Sequence, residues 1–378
     1  MRIGFDAKRA VQNFTGLGNY SRYVIDILCR FYPDNEYIAY APKRIENKQT
    51  DRLLNRHPQL SLKLPAGFLW RKARSLWRVW GISGQMEKEH TDLFHGLSNE
   101  LPLNIRRKKI KSIVTIHDLI FLRYPRFYKR IDRGIYSFKF RKACRNADRI
   151  IAISECTKRD IVSFFDIDPG KIEVVYQGCD ACFSHEATEQ QKQEVRQRYS
   201  LPRKYVLNVG SIEERKNALL AIKAMEGLPD EVHLVIVGKH TPYTDKIKSY
   251  ADEKGLARRI HFIHNLPFAD LPAVYQMATV FIYPSRFEGF GIPILEALHS
   301  GVPVVAATGS CLEEAGGPYS IYVDPDNVEE TAAALRLLCT DEAQRKEMIE
   351  KGKRFAASFS EEKQAEQLME IYRKVLHS

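Results

Sequence analysis

VFIYPSRFEGFGIPILEALHSGVPVVA, residues 280–306, is where the fold class is decided. Val280–Tyr283 is a short apolar run of the kind a strand buried on both faces requires, and Pro284-Ser285 ends it. Glu288, Gly289 and Gly291 occupy the loop, and a helix of roughly Pro293–Ser300 carries Glu296. The next apolar run, Val304–Ala306, is again a strand. Strand, helix and strand in so short a span predict a parallel pair with the helix covering one face.

The alternation extends in both directions. Tyr205–Val209, Val232–Val237 and Ile260–Ile263 precede this segment as strands, each followed by a helix, and Ile321–Val323 follows it. In the first half the expected strands are Arg2–Asp6, Tyr37–Ala41, Leu93–His95, Ser112–Ile116, Ile150–Ile153 and Ile172–Tyr176. Helical stretches such as Asn19–Phe31 and Tyr128–Asn146 separate them. Between the halves, residues 180–202 are polar, with few large apolar side chains before Tyr205, and mark a boundary. The expected class is α/β, with two doubly wound, Rossmann-like domains over residues 1–185 and 200–360 facing across a cleft. Helices near Glu342–Ser358 and Glu361–Val375 close the chain with no strand between them, so the last, about 361–378, is expected to return to the first domain. Open sheets of this kind take ligands at the carboxyl ends of their strands.

Four places at such strand ends carry chemistry. After Arg2–Asp6, Gly16 and Gly18 precede an expected helix start near Asn19, where amides and helix dipole favour an anion; a turn without ligand is the alternative. His117 follows Ser112–Ile116 directly, at the sheet rim, as a group that can donate or accept near neutrality; a structural histidine paired to Asp118 is the alternative. After Tyr205–Val209 come Gly210 and then Arg215 and Lys216, two cations able to clamp a diphosphate, unless they are a solvated pair balanced by Glu213 and Glu214. In the opening segment, Gly289 and Gly291 let backbone amides approach a ligand closely at a helix N-terminus. Glu288 and Glu296 there are acceptors suited to sugar hydroxyls, or else surface glutamates flanking a helix start.

With Glu288 and Glu296 forming an E-x7-E pair, the chain resembles the retaining family-4 glycosyltransferases of the GT-B fold over nearly its whole length. Gly16, Gly18, His117 and Lys216 match that family's positions, as does the strand–Ser–helix passage IIAISECTKRDI (Ile150–Ile161). The resemblance implies that Glu296 holds the nucleotide ribose, while Glu288 and the Phe290 and Gly291 amides hold the donor sugar. It also implies that Arg215 and Lys216 bind the diphosphate and that His117 reaches the sugar from the other domain. Where many members carry an Arg after the glycine of this turn, the chain has Ser211, so Arg215 is expected to supply the second cation. The expected reaction moves a hexose from a nucleotide diphosphate sugar, GDP-mannose or a UDP-sugar, to a glycan or lipid-linked glycan hydroxyl. The setting is the assembly of cell-surface polysaccharide such as lipopolysaccharide, with mannose first because SIEERKN is closest to mannosyltransferase forms. No metal or other cofactor is expected: Asp166-Ile-Asp168 and Asp324-Pro-Asp326 read as turns.

The chain's 378 residues are 44% hydrophobic and 28% charged, an ordinary globular composition that excludes a disordered or low-complexity protein. No apolar run is long enough for a bilayer span, and Asp6, Lys8 and Arg9 break the opening stretch, so a cytoplasmic protein is expected. Seven scattered cysteines, including the lone Cys179/Cys182 pair, fit no disulfide framework or zinc site. The net charge of +11 is concentrated: Leu101–Arg145 holds fourteen Lys/Arg against Asp118 and Asp132. All three tryptophans, Trp70, Trp77 and Trp80, fall in FLWRKARSLWRVW. As one helix this stretch sets Leu69, Ala73, Leu76 and Trp80 on one face and Arg71, Arg74 and Arg78 on another. Together with Arg106, Arg107, Lys108 and Lys109 it suits an anionic membrane surface or the acceptor side; a core-packing helix with solvated arginines is the alternative. Two rival classes stay open, a GT-B sugar-nucleotide epimerase and a basic nucleic-acid-binding protein. Against the latter, no RNA-recognition motif or zinc-finger spacing is present, and no nucleic acid is expected as partner.

Overall fold

The computed structural model describes residues 1–13 and 15–378. It holds two all-parallel sheets. The first comprises β1 Arg2–Asp6, β2 Glu36–Tyr40, β3 Leu60–Lys63, β4 Leu93–Gly96, β5 Lys111–Ile116, β6 Arg149–Ala152 and β7 Ile172–Val174. Their order is β3-β2-β1-β4-β5-β6-β7. The second comprises β8 Tyr205–Val209, β9 His233–Val237, β10 Ile260–Ile263, β11 Val280–Tyr283, β12 Val304–Ala307 and β13 Ile321–Val323, in the order β10-β9-β8-β11-β12-β13. The apolar runs form these strands because helices cover both faces. In β2, Tyr37 and Ala39 enter one core while Ile38 and Tyr40 enter the other.

The chain divides into two compact units, Met1–Gln177 with Glu361–Ser378, and Gly178–Ser360. The last helix, Glu361–His377, buries Leu368, Met369, Tyr372 and Val375 in the core that also holds Val24 and Leu28 of the Gly16–Phe31 helix. Tyr372 Oη lies 2.6 Å from His95 Nδ1, and Arg30 pairs with Glu361 at 2.5 Å. Residues 180–202 are part of the second unit's architecture. They carry the helix Glu189–Arg198, opened by a capping box between Thr188 and Gln191, with Val195 buried.

Three local differences from the sequence reading matter for the site. The helix expected from Asn19 starts at Gly16, so Gly16 and Gly18 lie in its first turn. β3 is an additional edge strand paired only to β2. The tryptophan-rich stretch is not one helix: Phe68–Lys72 and Arg74–Leu76 are short helical pieces, Trp77–Gly81 is a widened π-type turn, and Ile82–Lys88 continues as helix. Among the described residues no helix is long and apolar enough to cross a membrane.

Candidate functional site

Each sheet reverses its strand order once, between β1 and β4 and between β8 and β11. The loops that leave such a pair diverge and make room for a ligand. In the second unit those loops run from Gly210 to Asn217 and from Pro284 to Gly291.

Gly210 closes β8, its amide donating to the Val237 carbonyl at 2.9 Å. A tight turn, Glu214–Lys216, then delivers two cations, and Asn217 in the left-handed region (φ 56°) opens the helix Ala218–Ala224. Arg215 Nη1 donates to the Phe287 carbonyl and to Glu288 Oε1, the latter at 2.9 Å. Lys216 Nζ lies 2.7 Å from the same oxygen and donates to Tyr283 Oη at 2.7 Å. Ser285 Oγ donates to Glu288 Oε1 as well. The side chains of Arg215, Lys216 and Glu288 are only 16%, 16% and 12% exposed, so this is a partly desolvated charge cluster, not a solvated pair. Glu213 reaches Arg215 only at 4.0 Å. Burial pushes the Glu288 carboxyl up, but Lys216, Arg215 and the Ser285 hydroxyl outweigh it and hold it below the ordinary carboxylate value. Glu288 is therefore ionised at neutral pH, with two cations gathered on one of its oxygens.

Glu296 has the opposite environment. It sits in the second turn of the helix Ile292–His299, and Tyr275 Oη donates to its Oε2 at 2.8 Å. Among the described residues no cation lies within ion-pair distance. Burial raises its pKa to about 7, opposed by the Tyr275 bond and reinforced by Asp180. The loop between the glutamates is fixed by Cys311, whose thiol donates to the carbonyls of Glu288 (3.0 Å) and Phe290 (2.9 Å). Phe290 is buried against Phe359. Gly291 has φ 137°, a conformation that favours glycine, and a Cβ there would lie a tight 3.1 Å from the Ala315 Cβ. Tyr275, Ser285 and Cys311 were not singled out in the sequence. Ser285 has a local signal, at the end of a buried strand, whereas Tyr275 and Cys311 reach the site only through tertiary packing.

In the first unit, His117 is 5% exposed at the end of β5. Its Nε2 faces the Leu97 carbonyl at 2.9 Å and must carry the proton, which leaves Nδ1 to accept from Gln177 Nε2 at 3.4 Å. Asn99 Oδ1 receives its backbone amide, and the Tyr20 ring meets it edge-on. The partner is thus not Asp118. Burial lowers its pKa to about 4, the Leu97 bond opposing and Arg9 assisting, so it is a neutral donor at pH 7. Gly18 is fixed by space: a Cβ would fall 1.8 Å from the Asn13 carbonyl oxygen, while one on Gly16 would meet nothing within 4 Å among the described residues. Gly18→Ala should destabilise the protein by roughly 2–3 kcal/mol, seen as a lowered Tm, whereas Gly16→Ala should not lower it.

The tryptophan-rich stretch needs two corrections. Trp77 is not on a surface: it is 1% exposed in the core, with Nε1 donating to Gln85. Arg78 is not solvated. It bonds Asp6 at the end of β1 through Nε and Nη2, and Glu100 through Nη1 at 2.6 Å. Burial disfavours its charge, but the two carboxylates more than restore it. Trp70 and Trp80 are 37% and 46% exposed, Arg106, Arg107 and Lys109 are exposed, and Lys108 pairs with Glu87. Asp166 and Asp168 cap a helix and a turn, and the Asp326 amide donates to Asp324 within another turn. Cys179 and Cys182 form no disulfide.

Two parallel sheets with a charged loop pair at the second switch point define the class, an α/β protein of GT-B architecture. The overall likeness to Anabaena HepE in complex with UDP and glucose shows the same fold, with a TM-score of 0.78 at 18% identity over 99% of this chain and 100% of that one. The family profiles Glycosyltransferase Family 4 and Glycosyl transferases group 1 match residues 21–182 and 189–355. The D-inositol 3-phosphate glycosyltransferase of Corynebacterium glutamicum (strain R) is 30% identical over 76% of this chain and 73% of its own length. The O-antigen chain mannosyltransferase B of Escherichia coli is 26% identical over 99% of this chain and 100% of its own. The chain belongs to the family-4 glycosyltransferases.

Proposed function

We propose that the protein transfers mannose from GDP-mannose to a hydroxyl of a growing cell-surface polysaccharide, with retention of the α configuration. The observation that carries the reading is the gathering of Arg215 and Lys216 on Glu288 at the β8/β11 switch point, with Glu296 in the helix that follows. A diphosphate entering there offers the two cations a denser negative charge than one carboxylate. As they turn to it, Glu288 is released to accept hydroxyls of the donor sugar, and Glu296, once ionised, accepts those of the ribose. The charge that develops on the departing diphosphate falls on Arg215 and Lys216 in a partly desolvated site, where their field counts most. The acceptor hydroxyl attacks from the face the diphosphate leaves, and a phosphate oxygen takes its proton, so no separate carboxylate base is assigned. The reading gives charge neutralisation to side chains and assigns no metal or cofactor.

Mannose and the polysaccharide acceptor are supported by the mannosyltransferase relative, and a UDP-sugar is the other donor class because HepE holds UDP. A cytoplasmic place against the membrane, near a lipid-linked acceptor, belongs to the same proposal. Thermal shift with GDP-mannose, UDP-glucose and UDP-galactose, followed by transfer to a mannoside acceptor, tests it. GDP-mannose should give the largest shift and an α-linked product by NMR. A β-linked product would refute retention, and preference for a UDP-sugar would refute mannose as the donor sugar.

A further inference from the structure

Ten of the fifteen exposed large apolar side chains among the described residues fall in two stretches of the first unit, residues 64–80 and 131–138. The second stretch lies on the helix Arg130–Asn146. One face of that helix is core, with Phe140, Ala143 and Cys144 buried. The opposite face carries Ile131, Ile135 and Phe138, exposed to 78%, 47% and 61%. These positions repeat at steps of four and three, so they form one stripe. The same stepping reaches Lys142 and then Arg145, both exposed. An apolar line that ends in cations, backed by a buried face, is not needed to hold the helix in place.

The two stretches are neighbours. Glu100 accepts from Arg78 of the tryptophan-rich stretch at 2.6 Å and lies 3.5 Å from Lys139 of the helix. Asn104 donates to the Trp80 carbonyl at 3.0 Å, and the exposed Arg106 and Arg107 follow directly. The stripe thus lies within the most basic part of the chain, and the neighbouring stretch adds the exposed Phe68 and Leu69, at 71% and 78%, beside Arg71 and Lys72 in sequence.

We propose that this face, with the Ile131–Ile135–Phe138 stripe at its centre, docks the first unit onto an anionic lipid bilayer. Apolar side chains enter the headgroup boundary while Arg and Lys meet lipid phosphates. A nucleic acid would engage the cations but leave the aliphatic stripe without a partner. The inference rests on the reading of the enzyme as acting at a membrane, and its test needs neither donor nor transfer.

The full chain is sedimented with phosphatidylcholine vesicles containing or lacking phosphatidylglycerol, at low and high salt. It should sediment only with the phosphatidylglycerol vesicles, and less at high salt. The variant carrying Ile131→Glu and Phe138→Glu, both at exposed positions, should keep its Tm and lose partitioning by at least about tenfold. Absence of wild-type sedimentation at low salt, or equal partitioning of the variant, overturns the proposal. So does binding of random-sequence RNA that these vesicles fail to displace. A nucleotide-sugar thermal shift on the same samples isolates the other reading, because failure there leaves the vesicle result standing.

Discussion

Lys216→Ala should weaken binding of GDP or UDP, and lower kcat/KM for the sugar donor, by on the order of 10²–10³-fold, while affinity for guanosine or uridine stays unchanged. The ammonium lies 2.7 Å from Glu288 Oε1 and 2.7 Å from Tyr283 Oη, so it is held in place before any ligand arrives. Its removal also costs folding stability of roughly 1–3 kcal/mol, because a buried carboxylate loses one of its charged partners. That cost alone would affect nucleoside and diphosphate binding alike, which is why their comparison is decisive. Glu288→Gln pulls the other way. It keeps the shape and a hydrogen bond from Ser285 but removes the charge that Arg215 and Lys216 answer. Diphosphate affinity should hold or rise several-fold as those cations are set free, while transfer falls because the sugar loses its acceptor. If Lys216→Ala binds GDP and UDP as tightly as the unaltered chain, the cluster is structural and the diphosphate is held elsewhere.

That cluster shows where the sequence could be read and where it could not. Strands such as Val280–Tyr283 and Tyr205–Val209 are legible because a strand covered on both faces is almost wholly apolar, the buried Asn208 being bonded to the Ile282 carbonyl, and the E-x7-E spacing is local. The meeting of Arg215 with Glu288 is not local: it spans 73 positions and depends on β8 and β11 being neighbours. Tyr275 and Glu296, 21 positions apart, likewise meet only in the folded unit. β3 escaped because LSLK at a sheet edge, with Ser61 exposed, has no apolar run to announce it. Helical spacing misplaced Arg78, and the clustering of tryptophans misplaced Trp77, because the stretch is broken into short helical pieces and the widened Trp77–Gly81 turn; the indole lies in the core and the guanidinium on Asp6 and Glu100. The Ile131–Ile135–Phe138 stripe was not read from the sequence: only burial, with Phe140, Ala143 and Cys144 inside, shows it to be an outer face.

Glu296→Gln should make the protein more stable and a worse enzyme, with the two effects separated by pH. Burial raises the Glu296 pKa to about 7 from an ordinary 4.5. Below about pH 4.5 the carboxyl is protonated in both folded and unfolded chains and has no effect on folding. Between 4.5 and 7 the unfolded chain gives up the proton and the folded chain keeps it, so stability falls as pH rises. Above 7 both are ionised, and the folded state carries the full cost, roughly 3 kcal/mol for such a shift. Glutamine presents an oxygen to Tyr275 without a charge to bury, so its gain in Tm should be largest near pH 8 and vanish near pH 4.5. Donor binding runs in the opposite sense, because the ionised carboxylate is the better acceptor for ribose hydroxyls. The wild-type affinity for donor should rise with pH through about 7, and the variant should lose at least about tenfold at pH 8 with little pH dependence left. A variant with the same Tm gain at both pH values would mean that Glu296 is not held neutral by burial. One with undiminished donor affinity at pH 8 would mean that the carboxylate is not there for the ribose. On the proposed reading, the stability lost to this carboxylate above neutral pH is what keeps an ionisable acceptor beside the ribose.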